Sequence, residues 1–393
     1  MKIALIGEHN RKGGGSYHQS KKTYELLSSI KGFQFSLLTI GPNDKTDKTD
    51  RSYIYYDPSF IDQLFFLFYS SGILKSFLKK FKIQNKFEKF IKKNKIDLII
   101  YLGVSRFSIF CDKIDYITYI YEFHHLFCPN LPEYKSWSDF DFRENLTKTN
   151  VKKSISLIVD TQKKSNDLVK YYNCYDKKIN IIPLTSSFSN VNISETDNYS
   201  KIIEKFVNSP KEYFFYPAQY WPHKNHYYIL SANKTFNTKY KKKVNFIFTG
   251  QKKNNFDYLS KKTIELGLQD QITFFEYLKD DEIKFLYHNC KALVVPSLVG
   301  YSSLTLYEAF YYKKPIFYTK DLLDDALKEF VNEIDIENSE SLADEISNFD
   351  QNKEKIIEKT VKANKYFIKN LSDEKIKFYY NNLFNKIQKQ IKI

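Results

Sequence analysis

At 393 residues the chain is long for one hydrophobic core and sufficient for two domains. A hydrophobic content of 42% with 27% charged residues excludes extensive disorder, and no uninterrupted apolar run is long enough to span a membrane as a helix. The formal net charge of +15 favours polyanions as partners. A composition rich in Lys, Asn, Ile, Tyr and Phe accounts for the same surplus, and no Lys/Arg block of the kind found in nucleic-acid tails occurs.

Cys111, Cys128, Cys174 and Cys290 are far apart and form no CxxC pair. Neither a disulfide framework nor a zinc site is expected, and a reducing compartment fits best. The first residues, MKIALIG, run directly into a strand pattern without a separate apolar signal core. The expected location is therefore cytoplasmic.

In chain order, strands are predicted at Ile3–Gly7, Phe35–Ile40, Asp97–Leu102, Ile117–Glu122 and Ser156–Asp160. Helical patterns fall between them, at Lys22–Ile30, Phe142–Lys153 and Lys163–Tyr172. The alternation pauses after Ile179–Pro183, at the polar stretch Thr185–Asn198, which reads as a linker. It then resumes, with strands at Glu212–Pro217, Val244–Gly250, Gln271–Phe275, Lys291–Pro296 and Pro315–Thr319. Helices are predicted at Asn225–Lys234, Phe256–Leu266, Asp280–His288, Leu304–Tyr312 and Ser339–Phe349. Continuous apolar strands separated by helices predict parallel sheets covered on both faces. The fold class is α/β, with two Rossmann-like doubly wound domains facing across a cleft. The first covers 1–190 and the second 200–370, with a terminal helix at about 373–393 returning to the first.

One segment departs from this alternation. Ile61–Lys93 holds Leu64, Phe65, Phe66, Leu67, Phe68, Ile73, Leu74, Phe77, Leu78 and Phe81, followed by clustered lysines. Such a face suits the surface of an anionic membrane. A helix packed on its own domain with solvated lysines outside is the plainer alternative.

Three motifs carry candidate chemistry. Arg11-Lys-Gly-Gly-Gly-Ser16 follows the first strand and precedes a helix, so Gly14 and Gly15 can bring backbone N–H groups to an anion. It is not a GxGxxG fingerprint, and a surface turn is its other reading. Tyr216-Pro-Ala-Gln-Tyr-Trp-Pro-His-Lys-Asn-His226 follows the first strand of the second domain. Lys224 at the helix start can reach a diphosphate there, and it stands as the single cation of the motif. Val295-Pro-Ser-Leu-Val-Gly-Tyr-Ser-Ser-Leu-Thr-Leu-Tyr-Glu-Ala309 ends a buried strand in a small-residue loop and opens a helix. Ser302 and Ser303 suit its cap, and Glu308 can take the hydroxyls of a ribose. A dipole-stabilised surface acid is the alternative for Glu308. Asp139-Phe-Asp141 is a DxD string without a preceding buried strand, and it reads as solvated.

The second and third motifs, about eighty residues apart and in this order, resemble glycosyltransferase family 4 and its GT-B fold. YPAQYWPHKNH is similar to that family's donor-phosphate motif. PSLVGYSSLTLYEAF is similar to its EX7E region, in the subgroup with glycine in place of the first glutamate. In the first domain, Tyr121-Glu-Phe-His-His125 with Leu131-Pro-Glu-Tyr134 is similar to its HDLxH…LPEF stretch.

The resemblance implies a retaining, metal-independent transfer of sugar from a nucleotide-sugar donor to a glycan or lipid-linked acceptor, as in bacterial surface polysaccharide or glycoconjugate synthesis. It implies no cofactor, no metal site and no nucleic-acid partner. His125 and Lys224 take the catalytic roles. Gly14, Gly15, Gln219, Lys224, Gly250, Gly300, Tyr301, Ser302, Ser303, Leu304, Thr305 and Glu308 form the donor-binding set. The chain departs from the family pattern where Gln219 and Tyr220 stand in the region of an arginine, and where Leu126–Asn130 spaces His125 from LPEY. An epimerase or phosphorylase of the same fold, or a non-catalytic binding protein, is the alternative.

Overall fold

The computed structural model describes residues 1–7, 14–41, 53–60, 62, 85–134, 137–184, 186, 199–206 and 208–391. They divide into two compact units, each discontinuous in sequence. One holds Met1–His125, Ser136–Pro183 and Ile376–Ile393; the other holds Leu126–Lys135 and Leu184–Lys375.

The first unit is built on a parallel sheet in the order β3-β2-β1-β4-β5-β6-β7. Its strands are β1 (Lys2–Ile6), β2 (Gln34–Ile40), β3 (Tyr53–Tyr56), β4 (Leu98–Tyr101), β5 (Asp115–Tyr119), β6 (Ser156–Val159) and β7 (Ile179–Ile181). The central strands read as unbroken apolar runs because both faces are covered: Ile3, Ala4, Leu5, Leu98, Ile99 and Ile100 are fully buried. Register follows the same pattern, with Leu5 beside Leu37 and Ile100. The helix Asp373–Ile391 belongs here because it inserts Tyr380, Leu383, Phe384 and Ile387 into this core. Phe384 meets the rings of Phe33 and Phe35 at 5.2 and 5.7 Å. Burying a phenyl group of this kind is worth about 1.5–3 kcal/mol.

The second unit repeats the design with the order β10-β9-β8-β11-β12-β13. Its strands are β8 (Phe214–Pro217), β9 (Phe246–Thr249), β10 (Ile272–Phe275), β11 (Ala292–Val295), β12 (Ile316–Thr319) and β13 (Asn332–Ile334). All pairs are parallel. The centre is aromatic: Phe215, Phe246, Phe248 and Phe317 are fully buried, and Phe214 packs on Phe246 at 5.5 Å. Strand order reverses between β8 and β11. In doubly wound sheets that point is where the loops leaving the strand C-termini spread apart.

The two doubly wound parallel sheets agree with the architecture expected from the sequence. β3, β13 and the long helix Lys353–Asn370 are additions to the predicted elements. Most of the proposed linker Thr185–Asn198, and residues 61 and 63–84 of the Phe-rich segment, lie outside the described residues. Where that segment is described, Lys86–Lys93 forms a helix. Its Phe87 and Ile91 are buried in the first unit, and Lys86, Lys89, Lys92 and Lys93 are exposed. Among the described residues no helix is long and apolar enough to cross a membrane.

Gly250, at the end of β9, shows how tightly the β8 and β9 termini approach. A Cβ there would lie 2.3 Å from the Ala218 carbonyl oxygen and 2.7 Å from Gln219 Cα. These are backbone atoms and cannot swing aside. Gly250→Ala is therefore expected to lower the stability of the second unit by about 1–3 kcal/mol or more. Urea unfolding followed by tryptophan fluorescence measures this, and an unchanged midpoint would show that the two strand ends are free to part.

Candidate functional site

The second and third sequence motifs are the loops that leave β8 and β11, the two strands flanking the order reversal. After β8 the chain makes a short 3-10 turn, Pro222–Lys224, then enters the helix His226–Tyr240. Pro222 starts the turn with its fixed φ, and Asn225 ends it in the left-handed region at φ 56°. After β11 the chain runs through a small-residue loop into the helix Leu304–Tyr311. Ser303 is its N-cap, accepting the Leu306 N–H at 3.1 Å, as its residue type predicts.

The two loops are stitched together. The Leu298 N–H donates to the His223 carbonyl at 2.9 Å. The buried Tyr216 hydroxyl donates to the Lys224 carbonyl at 3.0 Å and lies 3.3 Å from Ser297 Oγ. The backbone on both sides of Lys224 is thereby fixed. Below the turn sits His226, fully buried among Tyr216, Tyr220 and Phe248 at 4.7, 5.0 and 5.3 Å. Burial, with a smaller push from the Lys224 charge, lowers its pKa to about 3, so it is a neutral packing residue.

Tyr220, in the region where an arginine was sought, is fully buried core, its hydroxyl donating to the Phe275 carbonyl at 2.9 Å. Gln219 accepts the Trp221 indole N–H at 2.9 Å. A cation from outside the motif adjoins it. Lys253, from the loop after β9, sits over the Trp221 ring at 5.1 Å from its centroid. The signal that could have found it is the Lys252-Lys253 pair just after Gly250, at a strand C-terminus adjoining β8.

Gly300 has φ 107°, a conformation that favours glycine. An alanine there would be strained in the backbone. The Tyr318 hydroxyl donates to the Gly300 carbonyl at 3.4 Å. Tyr301 meets the ring of Phe127 at 6.2 Å. Ser302, Leu304 and Thr305 follow in the same loop and first helical turn.

Glu308 lies in the helix Leu304–Tyr311 but is 5% exposed, so it is not the surface acid of the plainer reading. The Tyr287 hydroxyl donates to its carboxylate, and Tyr287 stacks on Tyr312 at 5.2 Å. Burial raises the Glu308 pKa to about 7, partly opposed by the Tyr287 hydrogen bond. Sequence reasoning missed Tyr287 because its place in an amphipathic helix, Asp280–Asn289, reads as ordinary core.

In the first unit Gly14, at φ 62°, is the N-cap of the helix Gly15–Ser28. His125 lies in a short helix, His124–Phe127, and is 3% exposed. Its Nε2 is 3.1 Å from Glu144, which also accepts from the Tyr172 hydroxyl at 2.7 Å and pairs with Lys148 at 3.0 Å. Burial pushes the Glu144 carboxyl upward, but these hydrogen bonds outweigh it and hold the pKa below the ordinary value. The neighbouring His124 is paired with Glu122. Asp139 and Asp141 fall within the helix Trp137–Lys153.

Residues 199–369 match the family model described as "Glycosyl transferases group 1". The match spans most of the second unit. The chain is 27% identical over 153 residues to the O-antigen chain mannosyltransferase RfbU of Salmonella typhimurium, a match covering 39% of this chain and 38% of that protein. Among solved structures it is similar to sucrose-phosphate synthase from Thermosynechococcus elongatus, with a TM-score of 0.75 at 14% identity over 99% of this chain and 100% of that one. It is also similar to HepE of Anabaena in complex with UDP and glucose, with a TM-score of 0.69 at 13% identity over 98% and 100%. The fold is therefore GT-B, with two Rossmann-like domains.

The buried Glu308 carboxyl has a consequence that can be measured without a ligand. Its folded pKa is raised from 4.5 to about 7, so the stability tied to the neutral form is fully present below the unfolded value. That stability is lost as pH rises through about 7. At about 1.4 kcal/mol per unit the loss is on the order of 3 kcal/mol. Thermal midpoints of wild type and Glu308→Gln between pH 5 and 8 should diverge, with the wild type falling more steeply. Parallel profiles would mean the carboxyl is solvated.

Proposed function

We propose that this chain transfers a hexose from a nucleotide-sugar donor to a glycan or lipid-linked acceptor, with retention at the anomeric carbon and without a metal ion. The observation that supports the reading is the stitched pair of loops at the β8/β11 reversal, of which one carries Lys224 and the other leads into the helix of Glu308, with Lys253 of the loop after β9 over Trp221. The likeness to an O-antigen chain mannosyltransferase and to HepE with UDP and glucose supports a nucleotide-linked hexose and a surface-polysaccharide setting. The lysines Lys86, Lys89, Lys92 and Lys93 offer a basic surface for the inner face of an anionic membrane.

In this scheme the bond from the anomeric carbon to the diphosphate breaks and negative charge builds on the departing phosphate. Lys224, assisted by Lys253 and by loop amides of Gly300–Leu304, meets that charge. The acceptor hydroxyl attacks the same face of the sugar and passes its proton to a phosphate oxygen. Glu308 takes the ribose hydroxyls. Gly14 and Gly15 supply N–H groups at a helix start. His125, oriented by Glu144, acts at the reacting sugar.

Calorimetric titration with UDP, GDP, ADP and CDP tests the reading. One of them should bind, and Glu308→Gln should weaken it about 10–100-fold through loss of a charged hydrogen-bond partner. Failure of all four to bind the wild type would remove the donor-site assignment.

Sugar release from UDP-glucose or GDP-mannose separates the two cations. Lys224→Ala should lower turnover about 10²–10³-fold. Lys253→Ala should lower it less but measurably, since its charge lies over the ring beside the turn. A wild-type rate in Lys253→Ala would leave Lys224 as the one residue opposing the leaving-group charge.

A further inference from the structure

The turn that presents Lys224 is held by a residue from far back in the sequence. The chain leaves the first unit after His125, spends Leu126–Lys135 in the second, and returns at Ser136. This excursion folds as consecutive turns, with Leu131 N–H donating to the Cys128 carbonyl at 3.2 Å and Tyr134 N–H to the Leu131 carbonyl at 2.8 Å. Its Phe127 reaches the Tyr301 ring, and its Glu133 reaches the phosphate turn. Glu133 Oε1 accepts the backbone N–H of His223 at 3.2 Å and lies 2.6 Å from His223 Nδ1. The two side chains are 8% and 12% exposed, so water competes little for these contacts.

We propose that Glu133 is a positioning residue for the donor diphosphate. It acts through His223 to fix the turn from which Lys224 projects. The reasoning is one of degrees of freedom. His223 already gives its carbonyl to Leu298, and Lys224 gives its carbonyl to Tyr216, which anchors the turn on its acceptor side. The N–H of His223 is bound by Glu133. A carboxylate that grips both the main chain and the ring of one residue sets the rotation of the peptide leading into His223, the residue before Lys224. Its second oxygen, Oε2, is buried without a hydrogen-bond partner among the described residues, so the pair is held at a desolvation cost that a surface contact would not carry. This inference rests on the donor-site reading above and adds a residue that neither donor motif contains.

The test compares affinities for UDP and UMP, or for GDP and GMP if guanine nucleotides bind, in wild type, Glu133→Gln, Glu133→Ala, His223→Ala and Lys224→Ala. Positioning of the phosphate turn concerns the second phosphate, so the diphosphate-to-monophosphate ratio is the readout. It should fall about ten-fold in Glu133→Ala and in His223→Ala, and less in Glu133→Gln, which keeps an acceptor for the N–H. Combining Glu133→Ala with His223→Ala should lower the ratio no further than either change alone. Equal weakening of both nucleotides, or a ratio within two-fold of wild type in Glu133→Ala, overturns the inference. If Lys224→Ala still lowers the ratio in that case, the donor reading stands without it. Absence of binding by wild type to every nucleotide overturns both together.

Discussion

A main-chain hydrogen bond, from the Leu298 N–H to the His223 carbonyl, joins two loops that follow different, non-consecutive strands of the sheet. The constraint behind it is topological. Crossovers between parallel strands are right-handed, so the connections leaving β8 and β11 in opposite directions along the sheet pass over opposite faces. Their loops part at the sheet edge and leave a gap between them. A loop of small residues on one side and a proline-started turn on the other can close part of that gap and keep the rest open to a ligand. The Tyr216 hydroxyl, the Gly250 contact and the Ser303 cap all serve the same end: they hold backbone, and side chains are then placed by it.

What could be read from the sequence followed from how local its cause is. β1, β4, β8 and β11 are short runs of buried apolar residues, visible in any window of the chain. β13 is only Asn332-Glu-Ile334, and a three-residue edge strand leaves no apolar run to see. The same distinction holds at the site. Lys224 and Glu308 sit in motifs whose spacing carries the resemblance, and both proved to be on loops or helices adjoining the reversal. Glu133 was visible within LPEY, but its partner lies ninety residues away and nothing in either segment names the other. Lys253 looked like one lysine among many, because a cation over a tryptophan is a property of packing. The positive φ of Gly300 reads in the sequence only as a missing glutamate.

The aromatic abundance of the chain has a structural counterpart. Tyr216, Tyr220 and Tyr287 are fully buried, and each sends its hydroxyl to a backbone carbonyl or a carboxylate near the second unit's strand ends. A buried phenol combines a large apolar surface with one polar atom at a fixed reach. It is suited to a sheet whose interior is dry and whose edge must be polar and rigid. The carboxyl of Glu308 is the case where this arrangement strains against solvation, since one phenol partly compensates a charge that water would otherwise hold.

The interleaving of the two units bears on how the molecule comes into being. During synthesis the first unit emerges first, yet the helix that fills its core around Phe33 and Phe35 is made from the last residues of the chain. The excursion Leu126–Lys135 likewise emerges before the unit that receives it. The first unit therefore waits with exposed apolar surface until the helix Asp373–Ile391 has been made, a period in which aggregation competes with folding. Severing the chain at Pro183 would not yield two independent proteins. It would yield one body missing its closing helix and another missing the carboxylate that grips its phosphate turn.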